Sequence, residues 1–348
     1  MGHSRRSIAA FAAAAAASAV SLLVMPVAGQ APAKSGAVRS TGKYTAPRTA
    51  NNQPDLQGVW ANNSVTPLER PDFFKGRTTM TDQELETLKR NAAELFAQRQ
   101  AGDLLGDRLI QEILKDPNLR PFDPNTGNYN SFWVVDRDWD NRTSLIVDPP
   151  DGKIPALTEQ ARSRRRGGQA SEFPEGPEQV SNSVRCISYG VPNLLAGYNS
   201  YFQIVQGKGY VAIEQEMIHD VRIVPLDGGP HVDKSVRLWN GDSRGHWEGD
   251  TLVVDTTNYS RAGAIRGASE NLHLVERFTR VSPDTVEYSL TFDDPTVWTK
   301  PWTAMLRLKR TQDKIYEYAC HEGNHSIVGI LGGARAKEKK TGAPTASK

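Results

Sequence analysis

Polar and apolar positions along this chain follow two rhythms. After Thr81-Asp82-Gln83-Glu84, a capping box in which a hydroxyl and a carboxylate satisfy backbone N–H groups, Leu85, Leu88, Ala92, Leu95 and Phe96 recur at helical spacing. The spacing predicts a helix from Asp82 to about Arg99. Leu104, Leu105, Leu109, Ile110, Ile113 and Leu114 predict a second, stopped by Asp116-Pro117. Beyond Pro121 the pattern changes to short apolar runs, Phe132 to Val135 and Ser144 to Val147, the second closed by Asp148-Pro149-Pro150-Asp151-Gly152. Residues 153–185 show neither rhythm. From Tyr198 onward roughly eight strand-like segments follow at about 8- to 15-residue spacing. Turn residues such as Gly207-Lys208-Gly209, Gly249-Asp250 and Ser282-Pro283-Asp284 separate them.

Consecutive strands joined by tight turns make an antiparallel meander, and such a meander can close into an up-and-down barrel with room for one small ligand. The expected fold is therefore mainly β: an antiparallel barrel with an N-terminal helical extension, a β-sandwich being the alternative. No internal repeat suggests a propeller. The domain plan is a first strand plus helical segment over 53–130 and a barrel over 131–336. A leader over 30–52 and a tail over 337–348, polar and without apolar periodicity, read as flexible and disordered.

Gly58-Val59-Trp60, after Pro54-Asp55-Leu56-Gln57, resembles the G-x-W signature on the first strand of lipocalins. In that family the tryptophan closes one barrel end beneath an arginine from the last strands, a part that Arg307 or Arg310 would take here. The strand-rich C-terminal half is also similar to secreted bacterial proteins of unassigned function. The resemblance implies a calycin-like barrel and export, and no particular activity. This chain departs from the lipocalin pattern by placing about 70 partly helical residues between the signature and the next strand.

Composition narrows the setting. Residues 1–29 combine Arg5 and Arg6, an alanine-rich apolar stretch and a small-residue end at Val27-Ala28-Gly29, which reads as a signal peptide; Ser4-Arg5-Arg6-Ser7 is also a loose twin-arginine signal. The expected compartment is secreted or periplasmic. A net charge of +2 makes neither nucleic acid nor an anionic membrane an expected partner, leaving a small organic molecule. The basic run Arg162, Arg164, Arg165 and Arg166 reads as a solvated loop. Cys186 and Cys320 are the only cysteines, and in an exported protein they are expected to pair.

Candidate chemistry lies in the strand-rich half. The hairpin Arg244 to Asp255, turning at Gly249-Asp250, sets Glu248 opposite Thr251, His246 opposite Val253 and Arg244 opposite Asp255. Alternation places Trp247, Leu252 and Val254 on one face and Arg244, His246, Glu248 and Asp255 on the other. The polar face either meets water or lines a cavity. Glu276 shares a face with Leu274 and Phe278, an apolar setting that suits a general acid or base, unless a cation such as Arg307 pairs with it. His273 falls on the opposite face with Val275 and Arg277. His219 and His231 lie at turns and read as surface residues.

Cys320-His321-Glu322-Gly323-Asn324-His325 spells H-E-x-x-H, the zinc-protease form. Yet Lys314 to Ala319 reads as a strand entering it, Gly323 and Asn324 are poor helix formers, and only Glu338 follows as a third ligand. The run is better read as a strand end bearing His321 on one face and Glu322 on the other. A looser site from His321, His325, His246 and Glu248 would hold a divalent metal such as zinc; the sequence requires no cofactor. Ser243 lacks a nucleophile elbow, and no phosphate loop is present.

Together these features favour a small-molecule lyase, isomerase or hydrolase working by proton transfer. His246 or His321 would carry the proton, Glu276 or Glu248 would tune it, and Arg244 would stabilise developing negative charge. Trp239, Trp247, Tyr316 and Tyr318 would supply apolar walls. The competing class is a lipocalin-like carrier, and a divalent-metal hydrolase is the third.

Overall fold

The computed structural model describes residues 44–97, 137–167, 174, 176–194, 198–261 and 267–341. Among the described residues, ten antiparallel strands form one sheet: β1 (Gly58–Ala61), β2 (Ile146–Asp148), β3 (Tyr201–Gly207), β4 (Tyr210–Gln215), β5 (Asp220–Pro225), β6 (Asp242–Glu248), β7 (Thr251–Thr257), β8 (His273–Ser282), β9 (Thr285–Asp293) and β10 (Trp302–Thr311). Their order is β5-β4-β3-β1-β10-β9-β8-β7-β6, with β2 added to β10 off this path. β5 also lies against β6, so nine strands form a nearly closed barrel.

Nine is an odd number, and that has a geometric consequence. A ring of alternating strands with an odd count must contain one neighbouring pair that runs the same way. Here that pair is β5 and β6, and no hydrogen-bonded ladder joins them. Parallel neighbours need a crossover rather than a hairpin, which residues 226–241 provide. Gly245 of β6 makes the approach close: a Cβ there would sit 2.7 Å from the Val224 and Leu226 side chains. We refer to this ladder-free line as the seam.

One end of the barrel carries the tryptophan signature. Trp60 is fully buried, and the Arg310 guanidinium lies 5.0 Å from its ring, with that of Arg280 at 5.7 Å. Of the two arginines named from the sequence, Arg310 takes the position over the ring, while Arg307 faces Glu287 and Asp140. Gly58, at φ +129°, is required by the same feature, since a Cβ would come within 3.2 Å of the Arg310 guanidinium. Residues 44–52, read as flexible leader, pack at this end: Ala46 is buried and Arg48 pairs with Asp250 at 2.7 Å.

The interior is dense. Phe278 stacks on Tyr288 with centroids 4.2 Å apart, and Phe292 stacks on Trp302 at 4.1 Å. Leu252, Val254, Leu274, Leu290, Leu306 and Leu308 fill the spaces between them.

Helix α1 (Asp82–Ala97) begins at the expected capping box: Glu84 N–H donates to Thr81 Oγ1 at 3.2 Å, and Thr81 N–H to Glu84 at 2.8 Å. The expected helix over 104–114 and strand over 132–135 lie outside the described residues. Three other expectations change. Residues 153–185 include α2 (Glu159–Gly167), started by Thr158 capping Ala161 N–H at 3.1 Å; Arg162 and Arg164 therefore sit on a helix rather than a loop. The segment from Lys314 to Ala319 is not a strand, because β10 already has β9 on one side and β1 on the other, leaving no place in the ring. The expected tail begins inside α3 (Ser326–Thr341), which is held by buried Ala334 and by Arg335 donating to Pro174 O at 2.9 Å, so Lys337 to Thr341 are helical.

Candidate functional site

The hairpin β6–β7 has the expected register: Glu248 faces Thr251, His246 faces Val253 and Arg244 faces Asp255. Gly249 has φ +60°, which suits the first position of a type II′ turn. Alternation is as read, and its sense is now fixed: Leu252 and Val254 are buried and Trp247 packs on the core. Arg244, His246 and Glu248 consequently point away from the barrel interior. His246 Nε2 meets Glu248 at 3.1 Å on the exposed surface, where Arg277 also reaches Glu248 at 2.6 Å.

Glu276 alone among the proposed catalytic residues is inside, with no exposure to solvent. Its cation is Arg222 of β5, not Arg307. Two parallel bonds join them, Nη1 to Oε2 at 2.5 Å and Nη2 to Oε1 at 2.8 Å, and the Tyr288 hydroxyl donates to Oε1. Burial works against the Arg222 cation, but the charge of Glu276 outweighs it and holds the guanidinium above its ordinary value. Burial, followed by the negative charge of Glu276, pushes the Tyr288 phenol well above the usual range. Nearby Tyr259, fully buried, is raised for the same reasons, against a smaller opposing effect of Arg222 and of a hydrogen bond with Thr256, and its hydroxyl also lies 3.4 Å from Val191 O.

A second charge cluster lies on the outer face of β6, β7 and β8. His231, from the 226–241 crossover, places Nδ1 2.8 Å from Asp242 and Nε2 2.9 Å from Asp255. His273 Nε2 meets the other oxygen of Asp255 at 2.6 Å, and Arg244 Nε donates to Asp242 at 3.3 Å. Burial alone would raise Asp255, yet the hydrogen bonds from His273 and His231 prevail and lower it. The bond to Asp255 in turn raises His273 above its ordinary value, against a smaller opposing effect of burial. The two contacts of His231 carry a chemical condition. A neutral imidazole has one N–H, so two carboxylates at once require an imidazolium or a protonated carboxyl. The Asn258 side-chain amide, donating to Val232 O at 3.1 Å and Asp233 O at 3.0 Å, pins the same crossover.

The H-E-x-x-H run lies beyond the barrel wall. His321 and Glu322 are exposed in a turn, and His325 precedes α3, so the two imidazoles do not share a helical face. Among the described residues no three His, Cys, Asp or Glu side chains converge as metal ligands, and the set His321, His325, His246 and Glu248 is not assembled. Cys186 and Cys320 form a disulfide, with Cα atoms 5.6 Å apart. It ties the segment after β10 to the segment before β3, and Tyr318 O lies 3.1 Å from His219 Nδ1. The proposed apolar walls divide. Trp247 packs on the core, Tyr318 is half-buried, and Trp239 and Tyr316 are exposed at 43% and 70%, pointing away from any interior.

The structure thus does not bring His246, His321 and Glu276 together. Sequence reasoning missed Arg222, Tyr288 and Tyr259, and it set aside His231 and His273. In Asp220-Val221-Arg222-Ile223-Val224 the apolar residues suggest the inward face, whereas Val221 and Ile223 are outward and exposed and Arg222 is inward. A shallow pocket lined by Val65, Phe74, Met80 and Leu88 among others lies outside the barrel next to the largely buried Asp140–Arg142 pair.

No family model matches this chain, and no curated protein matches it. Among solved structures, a crystal structure of a mutant of the fluorescent protein UnaG is similar at 15% identity, over 38% of this chain and 87% of that one, with a TM-score of 0.21. The barrel assignment rests on the strand order and register given above. No helix among the described residues is long and apolar enough to cross a membrane.

Proposed function

We propose that this protein binds a small, mainly apolar organic molecule within the barrel, with Arg222, Glu276 and Tyr288 as the polar centre of the site. One observation carries the reading: a doubly bonded, fully buried ion pair set in an interior otherwise built of aliphatic and aromatic groups. Such a pair gains little net stability over apolar residues of the same volume, because desolvating two charges offsets their attraction. Polar groups set among apolar ones also fix the orientation of a ligand that enters between them. The seam is the proposed entry, since separating β5 from β6 breaks no backbone ladder. Calorimetric and tryptophan-fluorescence screening of wild type against the paired variant Arg222→Met/Glu276→Leu tests this. A ligand bound by wild type and at least about tenfold more weakly by the folded variant supports the site. Equal binding by both removes it.

A second reading keeps proton-transfer catalysis and moves it to the outer cluster. Its specific support is two imidazoles on one carboxylate, beside Arg244. His273, with Nδ1 facing away from Asp255, would be the general acid or base, giving a lyase, isomerase or hydrolase. A substrate-panel screen of wild type, His273→Ala and His231→Ala decides it; activity retained by both variants would end this assignment.

The disulfide is consistent with an oxidising compartment. We propose export with removal of residues 1–29. N-terminal sequencing of protein recovered outside the cytoplasm should begin near Gln30.

A further inference from the structure

The buried polar atoms of the barrel strands that lack a protein partner have one character in common. They are Gln215 Nε2, Arg222 Nε, Trp247 Nε1, Arg280 Nε, Trp302 Nε1 and Arg310 Nε, and every one is a donor. Gln53 Oε1, Asn63 Oδ1 and Ser260 Oγ, also without a partner, lie outside the strands. Arg280 and Arg310 are committed to the Trp60 ring at the closed end. Arg222 and Trp247 differ from them, because they stand on β5 and β6, the two strands that flank the seam, and both belong to inward-facing positions.

From this we infer the chemical class of the ligand: an uncharged molecule that presents a carbonyl-type oxygen to Arg222 Nε–H and Trp247 Nε1–H. The inference rests on the binding reading above and adds the ligand's charge and hydrogen-bonding sense. Three physical points lead to it. Donors desolvated without a partner are costly, so an acceptor arriving with the ligand recovers that cost. The charge of Arg222 is already balanced by Glu276, whose two oxygens are both bonded, so a ligand carboxylate would meet a like charge in a medium of low dielectric. A ligand hydroxyl or amine would bring a further donor beside Glu276, an acceptor already engaged by Arg222 and Tyr288. Ketones, esters and lactones meet all three conditions. The stacked Phe278–Tyr288 pair, one residue row from Glu276, favours a flat ring system on the same molecule.

The test uses three matched probes, acetonaphthone, naphthoate and ethylnaphthalene, titrated by calorimetry at neutral pH into the full chain and into Trp247→Phe. The expected order is acetonaphthone tightest, with naphthoate weaker by at least about tenfold. Trp247→Phe keeps most of the ring volume while deleting the N–H, and should weaken acetonaphthone by about three- to tenfold without changing ethylnaphthalene. Naphthoate binding as tightly as acetonaphthone overturns the inference, whatever the variant does. So does an unchanged ketone affinity in a folded Trp247→Phe. If ethylnaphthalene binds and the ketone has no advantage over it, the ligand class falls and the binding reading stands. If none of the three binds, both fall.

Discussion

Two charge clusters occupy opposite faces of the same sheet, and they use the same kinds of group to different ends. Inside, Arg222 of β5 crosses the barrel to Glu276 of β8, where Tyr288 completes the carboxylate's partners. Outside, His231 and His273 meet on Asp255, and Asp242 and Arg244 extend the chain. The inner pair is removed from water and fixed in charge, so its energetic weight lies in what happens when one half is missing. The outer chain is partly solvated; within it the bond to Asp255 raises His273 above its ordinary value, and the hydrogen bonds from His273 and His231 outweigh burial and lower Asp255. A buried pair therefore reports on integrity and recognition. An outer chain reports on conditions.

The largest expected effect comes from breaking the inner pair singly. Glu276→Ala leaves the Arg222 cation buried without a partner, and Arg222→Ala leaves the carboxylate so; either should cost about 3–5 kcal/mol in urea unfolding. Arg222→Met/Glu276→Leu should lie within about 1–2 kcal/mol of wild type, because both charges leave together. A single variant as stable as wild type would show that the pair is not desolvated as described. A double variant as unstable as the singles would assign the pair a structural role beyond charge.

Next in size is the outer carboxylate. Asp255→Ala removes the partner of both His231 and His273, and the chain it interrupts also holds the 226–241 crossover near β6. With Asp255 about one-third exposed, solvent screening limits the loss to about 1 kcal/mol in the same assay. A loss equal to that of Glu276→Ala would erase the distinction between the two faces.

How far these clusters were legible in the sequence depends on whether an element carries its own pattern. The β6–β7 hairpin does: Gly249-Asp250 sets the turn, Trp247, Leu252 and Val254 mark one face, and the observed register follows residue for residue. Which face was inward remained open, since polar residues can line a cavity as well as a surface. β5 misleads, because Val221 and Ile223 face outward at 54% and 58% exposure while Arg222 faces in. Its orientation comes from pairing with β4, where Ile213 opposite Arg222 is buried, and not from its own composition. The pairing of Arg222 with Glu276 spans 54 residues and closes across the barrel, so neither local spacing nor periodicity can indicate it. The ring is completed by β1, which pairs with β10, whereas Lys314 to Ala319, read from its own pattern as a strand, joins no ladder. That competition between distant segments lies outside what any one window of sequence contains.

The pH dependence should separate the faces again, with a smaller effect. The folded His273 value is raised, so its contribution is fully present below the unfolded value of about 6.5 and is lost as pH rises through the folded one. Asp255 is lowered, so its contribution is present above about 3.9 and lost as pH falls through its folded value. The outer link is thus strongest between about pH 4 and about pH 6.5. Arg222 and Tyr288, both held above already high ordinary values, do not titrate in this interval. The thermal midpoint of wild type should exceed that of His273→Gln near pH 6 by a degree or two at most, and the gap should close toward about pH 9. A gap that widens with pH would reverse the sign assigned to the His273–Asp255 contact.

The smallest expected effect belongs to His246, which sharpens the comparison by having almost none. Its imidazole is more than half exposed and meets only Glu248, a carboxylate that Arg277 already holds at 2.6 Å. His231 by contrast joins two carboxylates and a crossover, although both histidines belong to the outer surface. His246→Ala should leave the unfolding midpoint, its pH profile and acetonaphthone binding unchanged, because water replaces an exposed partner at little cost. His231→Ala should lower the midpoint measurably and make the 226–241 backbone exchange its amide hydrogens faster. If His246→Ala were the variant that altered binding or turnover, the site would lie on the exposed tip of the β6–β7 hairpin, and both the seam and the His231 cluster would lose their proposed roles.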